Sequence, residues 1–169
     1  MGLTRPDVSS GGDRHVSSFD IGHYQEMGWA VAPGLFGQEE CAEFIDHMMA
    51  LQAGAKRLEG FVPRAPDEWG RTHNQHRYDD KAQQWLIAPP LLNPLRQILD
   101  DEPEGIQTMY FWVGSEQGRH QDQYYLPGCM SAWIALMDVD EDNGTIWVQS
   151  RSHKKRLLTK DDFADNGEF

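Results

Sequence analysis

One pair of residues in this 169-residue chain stands at a spacing that suits metal chemistry: His120 and Asp122, within the run Gly-Arg-His-Gln-Asp-Gln-Tyr-Tyr at 118–125. On an extended strand, side chains two residues apart share a face and lie about 7 Å apart along the chain. His120 and Asp122 can therefore reach one ion, with Gln121 turned to the opposite face. An imidazole and a carboxylate make two of the three ligands in the 2-His-1-carboxylate arrangement of non-haem ferrous sites. A His-x-Asp tripeptide is common by chance, so its surroundings carry the weight.

Those surroundings read as strands. Residues 106–113 (IQTMYFWV) are rich in aromatic and β-branched side chains, and residues 120–125, 130–139 and 145–149 continue the pattern. The acidic stretch 138–144 (DVDEDNG) is predicted to be a hairpin connection, because Asn143-Gly144 suits positive φ. It lacks the spacing and distal Glu of an EF-hand loop, which excludes that calcium site. Tyr124 and Tyr125 point to opposite faces of such a strand, so at most one lines a pocket.

The first half is helical in pattern. Residues 18–27 form a short helix that Ser18 or Asp20 can cap and Gly28 closes, followed by a strand at 29–32 and a turn at Pro33-Gly34. Over 38–51, Cys41, Phe44, Ile45, Met48 and Leu51 recur at helical spacing, with Glu39, Glu40, Glu43 and Asp46 on the other side. Two more helices are expected at 81–88 and 91–100, around Pro89-Pro90. Residues 54–80 read as a solvated loop; the cluster Arg71, His73, His76 and Arg77 leaves open that it reaches over a site. Helices followed by antiparallel strands make the fold class α+β.

Composition narrows the partners. A net charge of −12 and a pI near 4.8 repel polyanions, which argues against nucleic acid and anionic membrane surfaces. Cys41 and Cys129 give no disulfide framework, so a reducing cytoplasm is the expected location. The first residues lack a signal peptide's apolar region, and Pro6 rules out a myristoylation motif at Met1-Gly2. Residues 1–17 are expected to be a flexible tail and 18–169 one domain: a helical part at 18–104, a β part at 105–155 and a C-terminal segment at 156–169.

The order of a Gln-x-Met strand, His-Gln-Asp, a Trp-containing strand, an Asn-Gly turn and Ser-His-Lys over 105–155 resembles the phytanoyl-CoA dioxygenase family of Fe(II)- and 2-oxoglutarate-dependent oxygenases. YQEMGWAVAPGLFGQEECAEF is similar to that family's opening helix-strand-helix. The resemblance implies an antiparallel double-stranded β-helix, a jelly-roll barrel with helices packed on it. It also implies Fe(II), 2-oxoglutarate and O₂ as cofactor and co-substrates, and hydroxylation of a C–H bond in a small organic molecule. His120 and Asp122 match the family's first two metal ligands. Met109 and Trp133 match positions lining the 2-oxoglutarate pocket, and Arg77 or Lys81 is the candidate for a basic residue upstream. A carboxylate at position 122 favours hydroxylation over halogenation, since related halogenases replace it with a small residue.

The family's second histidine ligand and its 2-oxoglutarate-anchoring Arg come from strands that match no part of this chain, and Arg151 stands where the family has Gly. Four strands cannot close a barrel and leave an open edge. The expectation is therefore that a C-terminal half of the same protein, or a partner chain, covers that edge. Two other readings stay open: a non-catalytic half-barrel binding module, and a cupin-type metalloenzyme using His120, Asp122 and His153.

Overall fold

A computed structural model describes residues 19–113, 118–159 and 162; the predicted tail at 1–17, Ser18 and most of 160–169 lie outside the described residues. The first helix, α1 (Ile21–Met27), starts where the Asp20 carboxylate accepts the His23 N–H at 2.8 Å, and it ends at Gly28 with φ +84°. That positive φ favours glycine. The long helix α2 (Gln38–Gln52) begins with half of a capping box, in which Glu40 reaches back to the Gly37 N–H at 2.7 Å. Helices α3 (Asp80–Leu86) and α4 (Pro89–Leu99) follow, the latter opened by two prolines, where missing N–H groups cost nothing.

The sheet is a two-stranded antiparallel ribbon, β1 (Arg71–His73) with β2 (Met109–Phe111), in the register Arg71↔Phe111, Thr72↔Tyr110, His73↔Met109. Its two faces differ. Tyr110 and Trp112 pack inward against Phe44, Met48 and Ala82, and Trp112 Nε1 donates to Thr72 Oγ1 at 3.0 Å. Trp85 stacks on Phe44 at 4.4 Å and on Phe36 at 4.1 Å, completing an aromatic core between α2, α3 and the ribbon. Arg71, His73, Met109 and Phe111 alternate with the inward residues and so line the ribbon's outer face.

Several expectations need correction. Residues 54–80 are not one solvated loop, because they contain β1 and a 3₁₀ turn at Gln75–Arg77. Residues 29–32, 130–139 and 145–149 form no strand among the described residues, and 120–125 carries a 3₁₀ turn at Asp122–Tyr124. Alternating sequence makes a strand only where a neighbour accepts its ladder hydrogen bonds, and among the described residues the only sheet is the two-stranded ribbon rather than a barrel. The acidic turn does form. Asp140 accepts the N–H groups of Asp142 and Asn143 at 2.9 and 3.1 Å, and Gly144 takes φ +105°. Of the apolar residues Leu91, Leu92, Leu95, Ile98 and Leu99 on α4, only Leu91 is buried.

Residues 151–154 are tied to α1. In the 3₁₀ turn Ser152–Lys154, His153 Nε2 bonds the Gln25 carbonyl at 3.0 Å, Arg151 pairs with Glu26 at 2.9 Å, and Lys154 also pairs with Glu26. A β-carbon on Gly28 would meet the His153 ring, with Cγ 2.8 Å away. Gly28→Ala is therefore expected to cost at least about 1–2 kcal/mol from its backbone conformation alone. That corresponds to a fall of about 2–8 °C in Tm, readable by circular dichroism; an unchanged Tm would show that this clamp bears no load.

Candidate metal site

The backbone at Gln121 is extended (φ −124°, ψ 118°), so His120 and Asp122 fall on one side of it as strand geometry requires. Gln121 turns away, and its Oε1 accepts the Leu158 N–H at 2.7 Å, fixing the pair against the segment after the 3₁₀ turn at Ser152–Lys154. His120 Nε2 stands 3.3 Å from Asp122 Oδ1. Two ligand atoms each about 2.0–2.2 Å from an ion, and at right angles about it, stand about 3 Å apart. The observed gap fits that demand.

The remaining atoms of both side chains are occupied in the way metal ligands need. His120 Nδ1 lies 2.8 Å from the Gly118 carbonyl oxygen, which can only accept. Nδ1 therefore carries the proton, and Nε2 is the atom available to an ion. Asp122 Oδ2 accepts the Ser131 hydroxyl, leaving Oδ1 toward His120. Both side chains stay reachable from solvent, at 26% and 47% exposure.

Electrostatics match this geometry. Pairing with the Asp122 carboxylate raises the His120 pKa, burial opposes the rise, the Gly118 carbonyl supports it, and the Arg71 charge works against it. The pairing with His120 likewise lowers the Asp122 pKa against partial burial, with the Ser131 hydroxyl adding to the effect. His120 Nε2 and Asp122 Oδ1 are the two atoms that would hold a cation here, the ion's charge being met by the carboxylate.

Arg71, one of the cluster at 71–77 that the sequence left open as reaching over a site, is the cation that His120 senses. Its guanidinium carbon lies 5.8 Å from the Trp69 ring centroid and 6.0 Å from that of Phe111, and Nη1 is 4.0 Å from Met109 Sδ. Asp67 anchors it: Oδ1 accepts the main-chain N–H groups of Trp69 and Arg71, while Oδ2 takes Arg71 Nε at 3.1 Å and His73 Nε2 at 2.9 Å. Desolvation pushes the Asp67 carboxyl up, but these hydrogen bonds, led by His73, more than offset it and hold it well below the usual carboxylate range. A depressed pKa contributes stability that is complete above the ordinary carboxylate range and lost as pH falls through the folded value. Asp67→Ala should therefore flatten the acid limb of a stability-against-pH curve, and an unaltered acid limb would contradict this.

The other predicted residues scatter. Met109 sits on the outer ribbon face beside Arg71, whereas Trp133 is 42% exposed in a stretch that forms no strand among the described residues. Arg77 lines a shallow depression with Asn74, Ile106, Gln107 and Leu126, next to the turn that carries Asp122. Lys81 pairs with Glu43 at 3.5 Å. His153 is engaged with α1, and among the described residues no three His, Cys, Asp or Glu side chains gather to hold one ion. The cupin-type triad of His120, Asp122 and His153 is thus not assembled. Sequence gave no signal for Ser131, nine positions downstream.

Comparison with known proteins adds a family. The profile of the phytanoyl-CoA dioxygenase (PhyH) family matches residues 24–168. A rice protein, phytanoyl-CoA dioxygenase 1 (Oryza sativa subsp. japonica), is 29% identical over 101 residues, covering 53% of this chain and 36% of its own length. A zebrafish protein (Danio rerio), phytanoyl-CoA dioxygenase domain-containing protein 1, is 26% identical over 97 residues, covering 52% and 33%. The phytanoyl-CoA dioxygenase of Arabidopsis thaliana is 34% identical over 73 residues, covering 38% and 26%. The matched region spans about a third of the length of these relatives or less. No solved structure matches significantly. Among the described residues, no helix is long and apolar enough to cross a membrane.

Proposed function

We propose that this chain, which belongs to the phytanoyl-CoA dioxygenase family, holds ferrous iron between His120 and Asp122 and serves a 2-oxoglutarate-dependent hydroxylation of a small organic substrate. The 3.3 Å approach of Nε2 and Oδ1, with each side chain's other polar atom tied down, carries the reading. The bound iron would supply oxidising power from O₂ as 2-oxoglutarate is decarboxylated to succinate.

The chain's own residues do the positioning. The Gly118 carbonyl selects the His120 tautomer, and Asp122 supplies one negative charge to a dication. Arg71, held by Asp67 and flanked by Trp69 and Phe111, places a positive charge where an anionic co-substrate would approach, with Met109 beside it. Trp133 and Arg77 are the further co-substrate contacts in this proposal. Free Cys41 and Cys129 are compatible with a reducing, cytoplasmic setting.

The same reading makes the ribbon and the stretches 130–139 and 145–149 ribs of a double-stranded β-helix. Trp133, Met137 and Trp147 are 42–68% exposed there, an apolar surface suited to burial under further polypeptide. That polypeptide, from the same protein or a partner chain, would also provide the third ligand. His153 is not proposed for it, since its ring is committed to Gln25.

The test is succinate release from 2-oxoglutarate in the complete protein with Fe(II) and O₂. His120→Ala and Asp122→Ala should each abolish it, whereas His153→Ala should retain it. Turnover that survives both ligand substitutions would refute the assignment.

A further inference from the structure

We propose that Ser131 is a positioning residue for the metal, holding Asp122 so that Oδ1 alone faces the ion. This rests on the reading of His120 and Asp122 as a ferrous pair. A carboxylate has two equivalent oxygens and a terminal torsion with broad, two-fold preferences, so nothing intrinsic to Asp122 selects one oxygen. Here the Ser131 hydroxyl donates to Oδ2, while Oδ1 stands 3.3 Å from His120 Nε2. The Gly118 carbonyl does the equivalent for the imidazole, 2.8 Å from Nδ1. Each ligand thus presents one atom to the ion and has its other polar atom engaged.

The consequence concerns how many positions around the ion the protein fills. A carboxylate free to turn can chelate with both oxygens, and it then occupies a position a co-substrate needs. Ser131 holds back the second oxygen. Hydrogen bonds to metal-bound carboxylates are commonly worth 10–100-fold in metal affinity, that is about 1.4–2.7 kcal/mol. Ser131 is on the surface beyond the 3₁₀ turn, so its removal takes nothing from the core.

Calorimetric titration of the full chain with Co(II) tests this. Ser131→Ala should bind Co(II) about 10–100-fold more weakly than the parent, with an unchanged Tm in the absence of metal. Ser131→Thr, which keeps the hydroxyl, should restore binding. Asp122→Ala should abolish it. Parent-like affinity in Ser131→Ala together with lost binding in Asp122→Ala would overturn the role of Ser131 and leave the ligand pair standing. A weak Ser131→Ala that Ser131→Thr fails to restore would also overturn it, because the hydroxyl would then not be the agent. Binding that is absent from the parent, or unaffected by Asp122→Ala, would overturn both.

Discussion

Asp79→Ala is expected to destabilise the protein by about 3–5 kcal/mol, because it leaves several buried donors without an acceptor at about 1–3 kcal/mol each. His47 and Asp79 have side chains only 6% and 2% exposed and meet at 2.7 Å between Nε2 and Oδ2. Lys56 Nζ lies 2.9 Å from His47 Nδ1, and an ammonium only donates, so the imidazole proton sits on Nε2 and is given to Asp79. Asp79 also accepts from the Gln75 amide at 3.2 Å and caps α3 through the Lys81 N–H at 3.1 Å. The alanine variant strands all three donors at once. Tm should fall by about 6–20 °C, and Asp79→Asn, which keeps an acceptor, should fall less. A change below about 1 kcal/mol on denaturant unfolding, in the range of a single ordinary hydrogen bond, would mean that water replaces the carboxylate.

Phe44→Ala should cost a similar amount, about 3–5 kcal/mol, because a truncated core aromatic loses both transfer free energy and packing. Phe44 supports Trp85 on one side and Tyr110, at 6.2 Å between centroids, on the other. Tyr110 belongs to the ribbon whose outer face carries Arg71 and Met109, so the loss reaches the site. In an amide spectrum the signals of residues 71–73 and 109–111 should broaden or shift in this variant. Sharp, unmoved signals there would separate the ribbon from the core that is argued to support it.

What could be read from the amino acids divides along the range of the forces involved. The helices depend on local rules, the Asp20 cap, the Gly28 stop and the Cys41–Phe44–Met48–Leu51 spacing, and all stand where the pattern puts them. Strand β1 was hidden because Arg-Thr-His has no apolar alternation, and its partner lies 38 positions away. His47 was passed over for the same kind of reason: a polar residue on a buried face is explained only by Asp79, 32 positions on. The convergence of His120 and Asp122 was legible because it needs only one extended residue between them. Ser131 and Gly118, which orient that pair, were not, since a hydroxyl nine residues downstream and a backbone carbonyl have no sequence signature. Ser-His-Lys was visible as a motif, but its task of clamping α1 emerges only when residues 128 positions apart meet.

The most direct test is an anaerobic Fe(II) titration followed through the imidazole ring signals of the chain's seven histidines. Paramagnetic broadening should strike His120 first and at stoichiometric metal, leave His47 and His153 sharp, and vanish in Asp122→Ala. Broadening centred on any other histidine, or an unchanged response in Asp122→Ala, would contradict the assignment of His120 and Asp122 as the iron-holding pair.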